Sequence, residues 1–509
     1  MTAGSMTAAA MATTPHGLLL AFSVVVPVIG ILALWLVRPR AIEWVALSAL
    51  AANLGIAAAV LIAVRSSGAS LVYLVGGWLP PLGLALRGDG IAATLMAMTG
   101  LVVAATAIYA RGQFGFAEGG PERRRPMVFW TMLLAITAAL NLIFIGEDLF
   151  NLYVALELLT FAAVPLVSLD GSRATLAAAL RYLVFALAGS VLYLLGVAVI
   201  YGAYGTLDLA LLAEIRGADG ALLLAIALMT AGLIAKTALF PLHLWLPPAH
   251  AGAPAAASAV LSALVVKGSF FLILRLWFDL LPPGLGTIGA NGLGMLGGAA
   301  VIVGSVLALR QERLKLLVAY STVAQIGYLF LVFPLATGSE AASPFASLAW
   351  TGGVLQLLAH AFAKAAMFMA AGLVYEAIGH DRIAGFRGLG RVAPITVLTM
   401  TLASISLVGL PPSGGFSAKW LMLNAALGEG AWWWAVIILL GGLLAAGYVF
   451  RILVPAFSLA TPPLERQHAV SLKRELAALA LALVAIGIGF LPLAPWPLLA
   501  IGRLLPGTP

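Results

Sequence analysis

Fourteen stretches of about 20 apolar residues follow one another along the chain, near 17–37, 42–64, 90–109, 127–146, 149–169, 175–201, 221–246, 255–281, 292–309, 314–334, 345–378, 392–424, 431–457 and 476–501. A helix of that length rises about 30 Å, the thickness of the hydrocarbon core of a bilayer. Inside that core a backbone must satisfy its own polar groups, and a helix does so within one segment. The pattern therefore predicts an all-α polytopic membrane protein with about 14 transmembrane helices. Only 9% of the 509 residues are charged and 63% are hydrophobic, too polar-poor a composition for a soluble surface. The first run is followed by Arg38 and Arg40 and has no basic segment before it, as expected of a retained helix and not a cleaved signal. Met1, Met6 and Met11 leave alternative starts.

The net charge of +8 does not point to nucleic acid, because the arginines are dispersed over short loops and assemble no basic face. Their distribution follows the positive-inside rule instead. Eighteen basic residues, Arg38, Arg40, Arg123, Arg124, Arg125 and Arg313 among them, fall on one side of this arrangement, and five, Arg65, Arg87, Arg216, Arg275 and Arg503, on the other. The asymmetry predicts an even helix count in the cell (inner) membrane, with both termini on the non-cytoplasmic side. The absence of cysteine excludes disulfides, thiolate metal sites, iron–sulfur ligation and cysteine-attached haem. No metal site and no cofactor are expected, since no third ligand accompanies His243 and His250 and no nucleotide-binding fingerprint is present.

Four lysines remain, and they sit inside apolar segments or at their breaks: Lys236, Lys267, Lys364 and Lys419. A charge at mid-membrane costs at least about 2.5–3.5 kcal/mol, so such residues mark ion pathways. Two of the segments are interrupted. The seventh, GLIAKTALFPLHLWLPP, carries Pro241 after Lys236; the twelfth, SLVGLPPSGGFSAKW, carries Pro411 and Pro412 before Lys419. Broken helices persist at membrane depth where they are packed in protein or line a wet cavity, and transporters use them to face ions. The breaks lie five helices apart, and an odd shift inverts orientation. This divides the chain into N-terminal helices 1–3 (residues 1–126), a first five-helix repeat (127–281), a second, inverted five-helix repeat (292–457), and a C-terminal loop with helix 14 (458–509).

Glu157, in NLYVALELLTFAAV, is the one acid well inside a span and calls for a partner. Lysine suits it, because lysine's proton affinity responds to desolvation and to a nearby carboxylate. A Glu157–Lys236 pair fits a proton gate, and it also fits a fixed ion pair that locks two helices. Lys267 lies half-way along its span, too deep to snorkel easily. His360 and Lys364, at i and i+4, share one helix face and form a candidate relay, although His360 alone also fits a hydrogen-bonded core histidine. His243 and His250 flank the Pro241 break as secondary candidates, linking the row to water or resting at an interface beside Trp245. Lys419 is placed as the last station of the row, or as a lysine at the end of a half-helix reaching water.

The run IAKTALFPLHLWLPPAHAGAPAAASAVLSALVVKGSFFLILR resembles the signature of the proton-conducting antiporter-like subunits of respiratory complex I, membrane-bound hydrogenases and Mrp-type cation/proton antiporters. GEDLFNLYVALELL, QERLKLLVAYSTVAQIGYLF, LAHAFAKAAMFMAAG and GLPPSGGFSAKW extend the likeness over roughly residues 127–425. The resemblance implies two inverted five-helix repeats crossed by an axis of charged residues. Glu157, Lys236, Lys267 and Lys419 fall on the family's charged positions of helices five, seven, eight and twelve, and His360 and Lys364 on its helix-eleven pair. GGWLPPLGLALRGDGIAATL and Lys419 are similar to the MrpD branch of the Mrp antiporters. Leu156 departs from that pattern, where related sequences often carry an aromatic residue.

The expectation is a proton-translocating subunit of a hetero-oligomeric membrane complex, exchanging protons for Na+ or another monovalent cation. The alternatives are a proton-pumping subunit of an NADH:quinone oxidoreductase or hydrogenase with no redox centre of its own, and a structural membrane scaffold.

Overall fold

The computed structural model describes residues 12–115, 124–215, 219–282, 286–337 and 343–502. Met1, Met6, Met11, Arg123, Arg216 and Arg503 lie outside the described residues. The main helices are α1 (Leu18–Leu36), α2 (Pro39–Ser67), α3 (Gly90–Phe114), α4 (Arg124–Ile145), α5 (Leu149–Val167), α6 (Arg173–Tyr204), α7 (Gly220–Thr237), α8 (Ala255–Leu280), α9 (Thr287–Leu309), α10 (Leu314–Ala336), α11 (Pro344–Ile378), α12 (Pro394–Val408), α13 (Gly414–Gly428), α14 (Trp432–Phe457) and α15 (Leu472–Gly487). Twelve of these, all but α12, α13 and α15, are long and apolar enough to cross a membrane. The chain is a multi-pass, mainly helical membrane protein.

Burial separates the helices into a centre and a periphery. The apolar windows of α8 and α11 are 100% and 94% buried inside the protein, against 28% for α1 and α2. α11 packs against α10, α12, α13, α15 and the first part of α8. α8 is irregular where it is most enclosed: Leu261–Val265 and Leu276–Leu280 are π-helical. Such segments mark functional sites often enough to direct attention to the side chains beside them.

Both interruptions read from the sequence are present, and their geometry differs from the simple proline break. α7 stops at Thr237, ahead of Pro241, because Ala238 turns left-handed (φ 58°). The chain then turns to a short helix, Leu246–Gly252. Trp245 ties this turn back, donating from Nε1 to the Ala235 carbonyl at 2.9 Å and stacking on Tyr182. The interval 392–424 is two helices: α12 ends at Gly409 (φ 90°), a conformation that favours glycine, and Ser413 begins α13 by accepting from Phe416 N–H at 3.2 Å. Pro411 and Pro412 lie in the turn between them.

Two features depart from the expected helices. Between α2 and α3 lies a two-stranded antiparallel hairpin, β1 (Leu71–Leu74) with β2 (Ala85–Gly88), in register Leu71 to Gly88. The interval 476–501 is not one span: α15 begins earlier, after Ser471, and among the described residues beyond Gly487 the chain forms only the short turns Ile488–Phe490 and Pro497–Ala500. Pro492, Pro495 and Pro497 withhold the N–H groups a continued helix needs.

Candidate functional site

The four lysines are interior. Lys267 and Lys364 are fully buried, His360 is 1% exposed, and Lys236 and Lys419 are 7% exposed. Their partners divide them into two kinds.

Lys236, in the last turn of α7, reaches Glu157 on α5. Its Nζ donates to Glu157 Oε1 at 3.0 Å and to Thr160 Oγ1 at 3.0 Å. Glu157 Oε1 also accepts from the Ser190 hydroxyl of α6. The carboxylate is thus held from two helices while remaining half-buried at the outer face of the bundle. α6 and α7 approach closely here because Gly189 and Gly232 face each other's backbone; a Cβ at either would collide with the other's carbonyl oxygen.

The remaining lysines bond to neutral oxygens. Lys267 Nζ donates to the carbonyl of Ser262, within the π segment of its own helix, at 2.5 Å. The Ser262 hydroxyl in turn meets Thr322 of α10 at 2.9 Å. Lys364 Nζ donates to the Val318 carbonyl at 3.0 Å and to the Ser321 hydroxyl, both on α10. Lys419, on α13, donates to the carbonyls of Leu407 (2.9 Å) and Val408 (2.8 Å) and lies 4.4 Å from the Tyr328 ring centroid. It satisfies the end of α12 that the break leaves open, where a cation is also favoured by the helix dipole.

Among these candidates, a hydrogen-bonded ion pair is formed only between Glu157 and Lys236 within the described residues. Lys267, Lys364 and Lys419 all act electrostatically on the His360 ring, and neither ring nitrogen has a hydrogen-bond partner among the described residues. Gln356 lies one turn before His360 and donates to Gln325 Oε1 at 2.9 Å; Gln325 Nε2 donates to the Leu407 carbonyl, also at 2.9 Å, which Lys419 shares. These two glutamines are the polar residues that a search for charge in the sequence overlooks. The signal is present, since Gln356, His360 and Lys364 recur at four-residue intervals on one face of α11.

His243 and His250 are both buried, and each leaves Nδ1 without a partner among the described residues. His243 packs beside Phe240, with ring centroids 5.6 Å apart. His250 stacks on Phe368 of α11 at 4.7 Å. Burial first, and the Lys315, Lys364 and Lys267 ammoniums second, push the His250 imidazolium down to about 3, so the ring is neutral near pH 7. Among the described residues no group of three or more His, Asp or Glu side chains is placed to hold a metal.

A second buried charge cluster lies at the far end of α8. Arg275 donates to Asp89 at 2.6 Å and Asp279 at 2.9 Å, and Arg87 to Glu147 at 2.7 Å. Burial alone would raise the Asp89 carboxyl, but Arg275 and Arg87 outweigh it and hold it below the usual carboxylate range. For Glu147 burial prevails and the carboxyl is pushed up. The cluster ties β2, the starts of α3 and α5 and the end of α8 into one unit.

Residues 146–445 match the family profile described as NADH:quinone oxidoreductase/Mrp antiporter, TM. The chain is 36% identical over 394 residues to the NADH-quinone oxidoreductase N subunit of Desulforudis audaxviator (strain MP104C), covering 77% of this chain and 76% of the relative. It is 28% identical over 389 residues to the Na(+)/H(+) antiporter D subunit of Alkalihalophilus pseudofirmus, covering 76% of each. A chain of the Mrp complex from Dietzia sp. DQ12-45-1b superposes with a TM-score of 0.83 at 25% identity, over 93% of this chain and 94% of that one.

Proposed function

The chain belongs to the NADH:quinone oxidoreductase/Mrp antiporter transmembrane family, and on that premise we propose that it is the proton-translocating subunit of a multi-subunit membrane complex. Protons pass along Lys236, Lys267, His360, Lys364 and Lys419, with water between them. Glu157 gates the row by changing the proton affinity of Lys236. The observation that carries this reading is the asymmetry of partners: among the described residues Lys236 alone of the four has a carboxylate, while Lys267, Lys364 and Lys419 bond to carbonyls and hydroxyls. Proton loss from these three therefore strands no buried carboxylate among the described residues. Lys236→Ala, assembled in its complex and reconstituted in vesicles, should abolish proton flux. Undiminished flux overturns the reading.

Exchange of protons for Na+ is the form we favour, supported by the close superposition on the Mrp complex chain. The higher identity to an NADH-quinone oxidoreductase subunit favours a second form, a pump driven by electron transfer in partner subunits. Mass spectrometry of the complex purified from its native membrane separates them. Small hydrophobic partners alone indicate exchange; flavin or iron–sulfur subunits indicate a redox pump.

The same reading carries the architecture of fourteen crossings with both termini on the non-cytoplasmic side of the cell membrane, and 127–281 and 292–457 as inverted repeats. The breaks beside Lys236 and Lys419 support it.

A further inference from the structure

A groove of about 340 Å³ opens where α12 begins and α14 ends, and none of the lysines or histidines of the proposed proton row lines it. Val397, Leu398 and Thr401 of α12 form one wall, Phe457 and Leu459 the other, and Arg391 stands at the end of the groove. The apolar walls are open outward, with Leu398 47%, Phe457 62% and Leu459 65% exposed. The end wall is fixed by two glycines. Gly388 takes a left-handed φ of 83°, and its N–H donates to the Ser458 carbonyl at 2.7 Å. A Cβ on Gly390 would come within 3.1 Å of the Ala456 carbonyl oxygen. The connection from α11 to α12 therefore lies directly against the end of α14 and holds Arg391 at the groove.

Charge distinguishes this end of the groove from its surroundings. Elsewhere on the arginine-rich face Arg125 pairs with Asp170 and Arg313 with Asp381. Arg391 is exposed and forms no ion pair among the described residues, and no acidic residue lines the groove. Arg387, just before Gly388, and Arg451, in the last two turns of α14, are likewise exposed and unpaired among the described residues. A guanidinium without a counterion, set beside exposed apolar side chains at a membrane boundary, suits a ligand that brings an anion and a hydrocarbon chain together. A neighbouring helix would instead bury that charge unless it supplied an acid at the same point.

We propose that this groove binds an anionic phospholipid, its phosphate on Arg391 and an acyl chain lying along Val397, Leu398 and Thr401 between α12 and α14. The inference stands apart from the translocation reading and survives its failure. The volume lies in the range of ligand sites, about 300–1,000 Å³. Arg387 and Arg451 add positive charge around the phosphate, and the long arginine stem lets Arg451 reach towards the headgroup level. The lipid joins the start of α12 to the end of α14, and α12 is the helix whose other end Lys419 closes.

The test uses the assembled complex in phosphatidylcholine vesicles containing a little phosphatidylglycerol, with the photoreactive residue benzoylphenylalanine in place of Leu398. Irradiation should attach radiolabelled phosphatidylglycerol at least about 10-fold more efficiently, mole for mole, than radiolabelled phosphatidylcholine. Equal attachment of the two lipids overturns the site, since the groove would then be ordinary lipid contact, and attachment to a partner subunit overturns it in favour of a protein interface. Adding Arg391→Ala should lower phosphatidylglycerol attachment by about 10-fold, whereas Arg391→Lys should retain part of it. Undiminished attachment in Arg391→Ala overturns the phosphate contact. Inorganic phosphate should not compete; full competition would assign the groove to a free anion and overturn the lipid. The comparison of the two lipids needs no change at Arg391, so it decides the matter even where Arg391→Ala fails to assemble.

Discussion

Lys419 closes the helix that ends before it, its Nζ 2.8 Å from the carbonyl oxygen of Val408. One side chain thus serves both the frame and the proposed proton row, and substitutions can separate the two roles. Lys419→Met leaves the Leu407 and Val408 carbonyls without this donor and should lower stability by about 1–3 kcal/mol. Lys419→Arg keeps donors and charge but carries a group that does not release its proton. The arginine variant should therefore assemble and melt like the parent while proton flux falls by about 100-fold. Normal flux in the arginine variant would remove Lys419 from the path.

The Glu157–Lys236 pair gives a sharper comparison. Glu157→Gln retains an acceptor for Ser190 and Lys236 but cannot change its charge. The complex should assemble with little loss of stability, because Glu157 is half-buried, yet flux should fall steeply. Glu157→Asp should recover part of it. Equal flux in the glutamine and parent forms would reduce the pair to a helix tie.

Arg275 holds two carboxylates at the end of α8. Arg275→Ala takes the nearest cation from Asp89 and Asp279, leaving Arg87, 3.9 Å from Asp279, to offset both buried carboxylates, and should cost about 3 kcal/mol in the melting of the purified complex. A second, milder probe is acid: Asp89, held below its ordinary range, contributes stability that is present above about pH 4 and is lost as pH falls through its lowered folded value. Asp89→Asn should flatten that part of the profile.

His250 has the opposite sign. Its folded value near 3 lies below the ordinary value of about 6.5, so the unfolded chain binds the extra proton between them. Stability must therefore fall as pH drops from about 6.5 towards 3, by the equivalent of up to one proton. Melting of His250→Gln across that range should show a shallower decline than the parent, and an unchanged slope would refute the buried neutral ring.

Much of this organisation is legible in the sequence because membrane burial makes each charge conspicuous. The lysines, Glu157 and the His360–Lys364 spacing needed no structure to be singled out. What the sequence concealed is where each group finds its oxygen. Lys364 bonds to Val318 and Ser321, 46 and 43 residues away, and Gln325 reaches Leu407 across 82. Serine, threonine and glutamine are cheap enough in a helix to pass unnoticed, and a backbone carbonyl carries no side-chain signature at all. The left-handed turn at Ala238 was equally hidden, since alanine does not advertise such a conformation as glycine does at 409. The proline-rich end after Gly487 is a simpler case, in which hydropathy outvoted three visible helix breakers.

α11 is 35 residues long, about 52 Å at 1.5 Å per residue, well beyond the roughly 30 Å of a hydrocarbon core. A lone helix of that length would answer to lipid, tilting as the bilayer thinned or thickened. This one is enclosed by protein along nearly all of its span, so its inclination is fixed by neighbouring helices. Changes in membrane thickness should be absorbed by α1 and α2 at the rim, leaving the spacing of His360 and Lys364 indifferent to the lipid in which the complex is placed.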